Sequence, residues 1–356
     1  MGKLVLRFLL VLVALVLLLA VILVVFLTLT EPRPEDVEPA ELVPGPEPAA
    51  LEPDSGLRLV SFNIGYAGLG ADSDFFMDGG KDVRPADETV IARNLSSIMS
   101  TIQGMEADYL LFQEVDRPSH RSYGTDMPEL LAEGAGMGGT YAWNYRCAFV
   151  PFPLPPIGQI DSGVLTLSRF GLYAADGSRG GERHALPCPF AWPVRTANLK
   201  RCLLVTRTPV RGTGRELVVI NFHLEAYDDG QGKLDQTRVL MSLLEAEYAK
   251  GNYVVAGGDF NCMLPGTTER WPILDADTWI PGTLSEADVP AGFSLHYDPD
   301  TPSCRLLDRP WDGENQTYGI DGFLVSDNLT VTSVRALDLD FQYADHNPVV
   351  LELRLG

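Results

Sequence analysis

Basic residues are scarce in this chain: 27 lysines and arginines face 48 aspartates and glutamates, a formal net charge of -21 at pH 7. Proteins that grip nucleic acid through its backbone need a basic face to displace counterions, so a general nucleic-acid binder is disfavoured. Cysteine is sparse as well. Cys147, Cys188, Cys202, Cys262 and Cys304 show no C-x-x-C spacing, which argues against a structural zinc site. Their odd number leaves at least one thiol unpaired; Cys188 with Cys202 could close a loop, although sequence does not fix connectivity. No internal repeat and no second domain is visible over the 356 residues.

What the first thirty residues do contain is a charge-free apolar run from Phe8 to Leu27, preceded by Lys3 and Arg7. Its length matches the roughly 20 residues a helix needs to cross a bilayer. A secretory signal peptide has a shorter apolar region and a small-residue cleavage site, so an uncleaved anchor is the preferred reading. The positive-inside rule then puts residues 1–7 in the cytoplasm, an anchor at 8–29, and everything later outside a single-pass cell membrane protein. Glu31 to Asp54 holds eight acids, many prolines and the lone Arg33, which predicts an extended, solvated stalk over 30–56. The remaining 57–356 form the folded part.

Short β-rich runs dominate that part. Leu57–Phe62, Tyr109–Phe112, Gly163–Leu167, Cys202–Thr206, Leu217–Phe222, Tyr253–Ala256, Ile320–Val325 and Val349–Leu353 read as strands, several apolar throughout as if covered on both faces. Helical periodicity is confined to Glu88–Ile102, with Ile91, Leu95, Ile98 and Ile102 on one stripe, and Leu234–Lys250, stopped by Gly251. Strands outnumber helices, which favours stacked sheets flanked by helices over a doubly wound parallel sheet.

The polar residues fall where these strands end. Asn63 follows "LRLVSF", Gln113 and Glu114 follow "DYLLF", and His223 follows "LVVINF". Asp259 and Asn261 follow "YVVAGG", Asp321 sits inside "YGIDGFLV", and Asp345 and His346 precede "NPVVLEL". One such carboxylate is most often a turn former. Six strand ends that all deliver Asn, Glu, His or Asp instead suggest one shared site. Alternation would aim Asp259 and Asn261 at one spot with Phe260 facing away, and the Gly257-Gly258 pair would let the backbone turn tightly. Cys262 has no role in this scheme.

"SFNI", "FQEV", "INFHLEA", "GGDFN", "YGIDGFLVS" and "ADHNPV", in this order and spacing, resemble the endonuclease/exonuclease/phosphatase family, which includes deoxyribonucleases, apurinic endonucleases, inositol polyphosphate phosphatases and neutral sphingomyelinases. The resemblance spans about Leu57 to Leu355. It implies a four-layered α/β sandwich, two packed mixed β-sheets flanked by helices, that hydrolyses phosphoesters by metal-assisted water attack. It further implies that Glu114 and Asn63, with Asp345 beside them, hold Mg²⁺ or Mn²⁺. Asp259 would take a proton from the attacking water or orient it, and Asn261 would hold water and phosphate in line. His346, supported by Asp321, would donate to the phosphoryl group, and His223 would contact the phosphate or leaving group. His120, His184 and His296 lie outside these motifs.

Two departures bear on substrate. The basic grip of the nucleases is outweighed here by acid, and "CMLPGTTERWP" after Asn261 lacks the aromatic and arginine-rich flanks of the inositol polyphosphate enzymes. "FVPFPLPPIG" sets Phe149, Phe152, Leu154 and Ile157 among prolines, a loop that either packs under its neighbours or dips into a bilayer surface. The leading expectation is a membrane-anchored phosphodiesterase acting on a lipid or a small exported metabolite. An extracytoplasmic nuclease and a catalytically inactive envelope-binding module are the alternatives.

Overall fold

A computed structural model describes residues 2–228 and 230–356. Two seven-stranded mixed sheets make up the body. Across the first, the strands run in the order Leu329–Ala336, Val349–Leu355, Gly56–Asn63, Tyr109–Asp116, Gly158–Ser168, Gly138–Val150 and Glu41–Val43. Across the second they run Val37–Pro39, Glu182–Ala185, Cys202–Pro209, Glu216–His223, Tyr253–Asp259, Asp321–Ser326 and Phe293–His296. Each sheet has one parallel pair at its centre, Gly56–Asn63 with Tyr109–Asp116 and Glu216–His223 with Tyr253–Asp259. All eight strands expected from the sequence are present, along with Gly138–Val150, whose mixed polar and aromatic residues hid its pattern.

The sheets pack through Leu59, Leu111, Val219, Val255, Phe323 and Leu351, all buried. Each such side chain contributes about 1.5–3 kcal/mol on burial. Outside the first sheet lie the helices Glu88–Gly104 and Met127–Ala135, the former capped by the Asp87 carboxylate, which accepts from Thr89 N at 2.9 Å. Outside the second lies Gln231–Ala249, packed through Leu240 and Leu244. The result is the four-layered sandwich expected.

Toward one end the inter-sheet core turns polar. Gln113 Nε2 donates to Asn221 Oδ1 at 2.8 Å, and Asn221 Nδ2 donates to the carbonyls of Phe112 and Leu165 at 3.1 and 3.0 Å. These fully buried amides tie the sheets together just beneath the polar strand ends. Gln113 is therefore part of the frame and not of the site surface.

The glycines before Asp259 do not form a turn, as their pairing suggested; both lie inside the strand Tyr253–Asp259. A Cβ on Gly257 would sit 2.4 Å from Phe323 Cε1, and one on Gly258 would sit 2.0 Å from Phe222 O. Close approach of the neighbouring chains is what excludes a side chain here. Cys262 likewise has a place: it opens a short parallel pairing with Gly282–Thr283, and burial pushes its thiol up to about 11, so it packs as an apolar group. All five cysteines are free, Cys188 and Cys202 included.

The helix Gly2–Thr30 is long and apolar enough to cross a membrane, and most of it is exposed. Its last turns rest on the body: Leu23 and Leu27 meet Cys147, Val150 and Ile160, and Trp192 Nε1 donates to Thr28 Oγ1 at 3.1 Å. Residues 30–56, expected to stand free, run along both sheets instead. Val37–Pro39 pairs with Glu182–Ala185, Glu41–Val43 pairs with the strand from Gly138, and Leu51 is buried. Composition misled because the acids find arginines: Glu41 meets Arg117 at 2.6 Å and Glu38 lies 3.6 Å from Arg183. Proline at a strand edge also costs no ladder bond.

Candidate active site

The polar strand ends converge because the strands run so that one end of each sheet collects them. In the register of the second sheet Asp259 faces both His223 and Asp321, and in the first Asn63 faces Gln113. Glu114 reaches the same place through a bulge: the register with Gly158–Ser168 shifts between Phe112 and Val115, and Glu114 takes φ +53°. A left-handed non-glycine costs of order 1–3 kcal/mol, a strain that clusters at functional sites. Asn261 also sits at φ +49°, so a turn and not strand alternation returns it toward Asp259.

Asn63 Nδ2 lies at the centre, 3.2 Å from Asp259 Oδ2, 3.4 Å from Glu114 Oε1 and 3.4 Å from His346 Nε2. Its carbonyl oxygen accepts from Gly65 N at 3.0 Å. Gly65 is required there: φ is +49°, and a Cβ would lie 2.7 Å from Asp345 Oδ1. His346 Nδ1 donates to Asp321 Oδ2 at 2.8 Å, while its Nε2 lies 3.8 Å from Asp259 Oδ2. His223 Nε2 approaches the same Asp259 oxygen at 3.4 Å. Asn261 N donates to Asp259 Oδ1 at 2.8 Å, and its Nδ2 donates to Leu224 O at 2.8 Å, which holds the loop. Phe260 points the other way, edge-on to Phe222. Seven of the eight candidate residues thus line one cleft, and Asp321 stands behind it, bonded to His346.

Burial sets the electrostatics. It lifts the Asp259 carboxyl to about 6, with Asp321 adding to the shift and His346 opposing it. Asp345 is pushed up to about 7 by burial and by Glu114, against the pull of His346. Burial would lower His346, but Asp321 outweighs it and holds the imidazole well above its usual value, charged near neutrality. His223 is driven the opposite way by burial and by Arg201, so it is neutral. Two histidines in one cleft therefore carry different charges.

Asp259, Asp321 and His346 place ligand atoms within 4.8 Å of one another. That trio is better satisfied as an ion-paired set, since Nδ1 of His346 is already committed to Asp321 and its Nε2 lies 3.8 Å from Asp259. Glu114 and Asp345 fit a hard cation more closely: both are oxygen donors, they repel one another, and Asp345 Oδ1 is buried with no partner. Sequence reasoning did not find Arg121 and Tyr66. The Arg121 guanidinium lies 2.8 Å from Asp116 and 3.7 Å from Glu114, stacked 3.8 Å over the Tyr66 ring. Arg121 carries no motif, although Tyr66 three residues after Asn63 was a readable signal.

A sequence profile of the Endonuclease/Exonuclease/phosphatase family matches residues 60–346. The chain belongs to this family. Its members are phosphoesterases, nucleases or related hydrolases that generally depend on a divalent metal. Among solved structures, an endonuclease/exonuclease/phosphatase from Beutenbergia cavernae is similar at 20% identity and TM-score 0.55, over 85% of this chain and 72% of that one. ANGEL2, a 2',3'-cyclic phosphatase in complex with adenosine-2',3'-vanadate, is similar at 16% identity and TM-score 0.53, over 85% and 96%. The human Nocturnin catalytic domain with a bound sulfate anion is similar at 16% identity and TM-score 0.51, over 90% and 99%. At such identities the likeness concerns the fold. No curated protein matches the sequence.

Proposed function

We propose that this protein is a membrane-anchored, divalent-metal-dependent phosphodiesterase whose catalytic domain faces away from the cytoplasm. The observation that carries the reading is one buried cluster in which Asp259 lies 3.4 Å from His223, 3.2 Å from Asn63 and 3.8 Å from His346, with His346 held by Asp321. It offers a carboxylate base and a charged imidazole a few ångströms apart, which is what displacement at phosphorus needs.

Asp259, poised near 6, would take a proton from the attacking water or orient it, and the backbone N–H of Asn261 would keep its second oxygen in place. His346, held charged by Asp321, would donate from Nε2 to a phosphoryl oxygen as negative charge grows there. Neutral His223 would contact the phosphate or the leaving oxygen, since its proton is best placed on Nε2 toward Asp259. Glu114 and Asp345 would hold the cation, and Asn63, expected as a third ligand, instead turns its Nδ2 toward Glu114 with its Oδ1 held by Gly65 N, so it would orient Glu114. A Mg²⁺ or Mn²⁺ ion bound there would supply Lewis-acid stabilisation of the phosphoryl oxygens. As water attacks phosphorus, the P–O bond to the leaving group breaks.

The helix Gly2–Thr30 supports the anchored reading, with Lys3 and Arg7 on its cytoplasmic side and residues 8–29 in the bilayer. The acidity of the chain favours a lipid or small exported phosphodiester over nucleic acid. A panel of bis-p-nitrophenyl phosphate, plasmid DNA, and sphingomyelin or phosphatidylinositol vesicles, with Mg²⁺ or Mn²⁺, tests this. The full chain in detergent is the proper sample, because residues 37–43 supply an edge strand to each sheet. Preference for plasmid would favour a nuclease. No turnover on any substrate would leave a binding module.

A further inference from the structure

The cleft that holds the catalytic cluster has a second, apolar end. It encloses about 680 Å³ and runs from Asn63, Asp259 and His346 to Leu23, Val24 and Leu27 of the N-terminal helix. Phe76 and Phe152, edge-on at 5.8 Å, line it as well. The residues that line this end therefore include part of the same apolar run that is read as crossing the bilayer.

Three observations fix the relation of helix to cleft. Glu31, the first residue after the helix, is buried and meets Arg195 at 3.2 Å and Lys200 at 3.4 Å, so the helix is clamped to the body with no free linker. Leu23 lies about 10 Å along the helix from Thr30, at roughly 1.5 Å per residue, which takes the apolar end of the cleft below the level where the helix emerges. Beside that exit Trp192, 56% exposed, bonds to Thr28 of the helix, and the loop whose Phe149 and Ile157 pack on the Leu27 cluster exposes Phe152 at 65% and Leu154 at 88%. Apolar and aromatic side chains beside a helix exit are suited to the membrane interface.

We propose that the last two turns of the anchor helix form a wall of the substrate cleft, and that the cleft takes an outer-leaflet phosphodiester lipid with an acyl chain among Leu23, Leu27, Phe76 and Phe152. The proposal rests on the phosphodiesterase reading and makes its substrate a lipid. The anchor is then a substrate-binding element, and the lipid reaches the catalytic groups by moving sideways from the leaflet, with its headgroup phosphate toward Asp259 and His346. A soluble metabolite would leave the apolar end unfilled.

Full-length Asp259→Ala protein in nanodiscs containing phosphatidylcholine with a diazirine on one acyl chain tests occupancy without turnover. Irradiation should label the peptide carrying Phe76 or that carrying Phe152, and a diazirine-bearing diacylglycerol should label them less. Labels confined to the exposed turns of the helix would overturn the proposal. In the catalytically intact protein, Phe76→Asp and, as a surface change that spares the fold, Phe152→Asp should each lower the ratio of lipid to bis-p-nitrophenyl phosphate kcat/KM by about tenfold, as loss of one apolar contact predicts. An unchanged ratio in both variants would also overturn it. Cleavage of the soluble diester without lipid labelling removes this inference and leaves the enzyme reading standing. Failure to cleave any phosphodiester removes the enzyme reading itself.

Discussion

Replacing Asp321 by Asn keeps the shape of the His346 partner and removes its charge. The two side chains are buried and 2.8 Å apart, so the lost interaction is a charge-assisted hydrogen bond shielded from water. Such a bond contributes about 1.5–3 kcal/mol. At 1.36 kcal/mol per unit this lowers the His346 pKa by about 1–2 units. The wild-type imidazole sits well above its ordinary value, so its charged form is lost only as pH rises through that raised value. In Asp321→Asn the alkaline limb of kcat should move toward acid by about 1–2 units, with kcat falling about 10- to 100-fold at a pH above both limbs while KM changes little. Stability follows the same sign: the His346–Asp321 contribution is complete below the unfolded value near about 6.5 and fades as pH rises through the native one. The difference in Tm between wild type and variant should be widest at low pH. Rates on bis-p-nitrophenyl phosphate from pH 5 to 10, with an NMR titration of His346, measure both. An alkaline limb that does not move would refute the ion-pair account.

Cation binding should be pH-dependent, because Asp345 is held near about 7 when the cation is absent and a proton then competes for it. Affinity for Mg²⁺ or Mn²⁺ should fall by about tenfold per unit below that value and level off above it, with proton release detected by calorimetry in two buffers; a flat affinity from pH 6 to 8 would contradict the assignment. Glu114→Gln should weaken the same binding by about 10- to 100-fold while leaving the melting profile of the metal-free protein within a few degrees. Gly258→Ala should destabilise, since the new Cβ meets Phe222 O at 2.0 Å. About 1–3 kcal/mol of overpacking corresponds to a fall in Tm of about 2–10 °C, and an unchanged Tm would show that the strands can part.

The central strands were legible because both faces of each are covered, so Leu217–Ile220 and Tyr253–Ala256 read as unbroken apolar runs. Gly138–Val150 was not, because its polar and aromatic residues are mixed, and the edge strands at 37–43 were not, because their acids meet arginines distant in sequence, Arg183 and Arg117. Glu247 makes the same point: on the helix Gln231–Ala249 it is buried because Arg207 clamps both its oxygens at 2.7 and 2.8 Å, with Lys250 and Asn252 donating as well. At the site, residues carried by strand ends could be read from their positions. Arg121 could not, since only the loop after Asp116 brings it over Tyr66. The i, i+2 argument for Asp259 and Asn261 reached the right neighbourhood by the wrong geometry, because a left-handed turn intervenes. The proline loop divides: Phe149 and Ile157 pack against the Leu27 cluster, whereas Phe152 and Leu154 are exposed.

The most direct test of the central claim is release of p-nitrophenolate from bis-p-nitrophenyl phosphate by the detergent-solubilised full chain, wild type against Asp259→Ala, with Mg²⁺ and with EDTA. The account predicts turnover by wild type that EDTA abolishes and Mg²⁺ restores, with Asp259→Ala about 10²- to 10⁴-fold slower at an unchanged fold. Equal rates in wild type and variant, or turnover indifferent to EDTA, would contradict it.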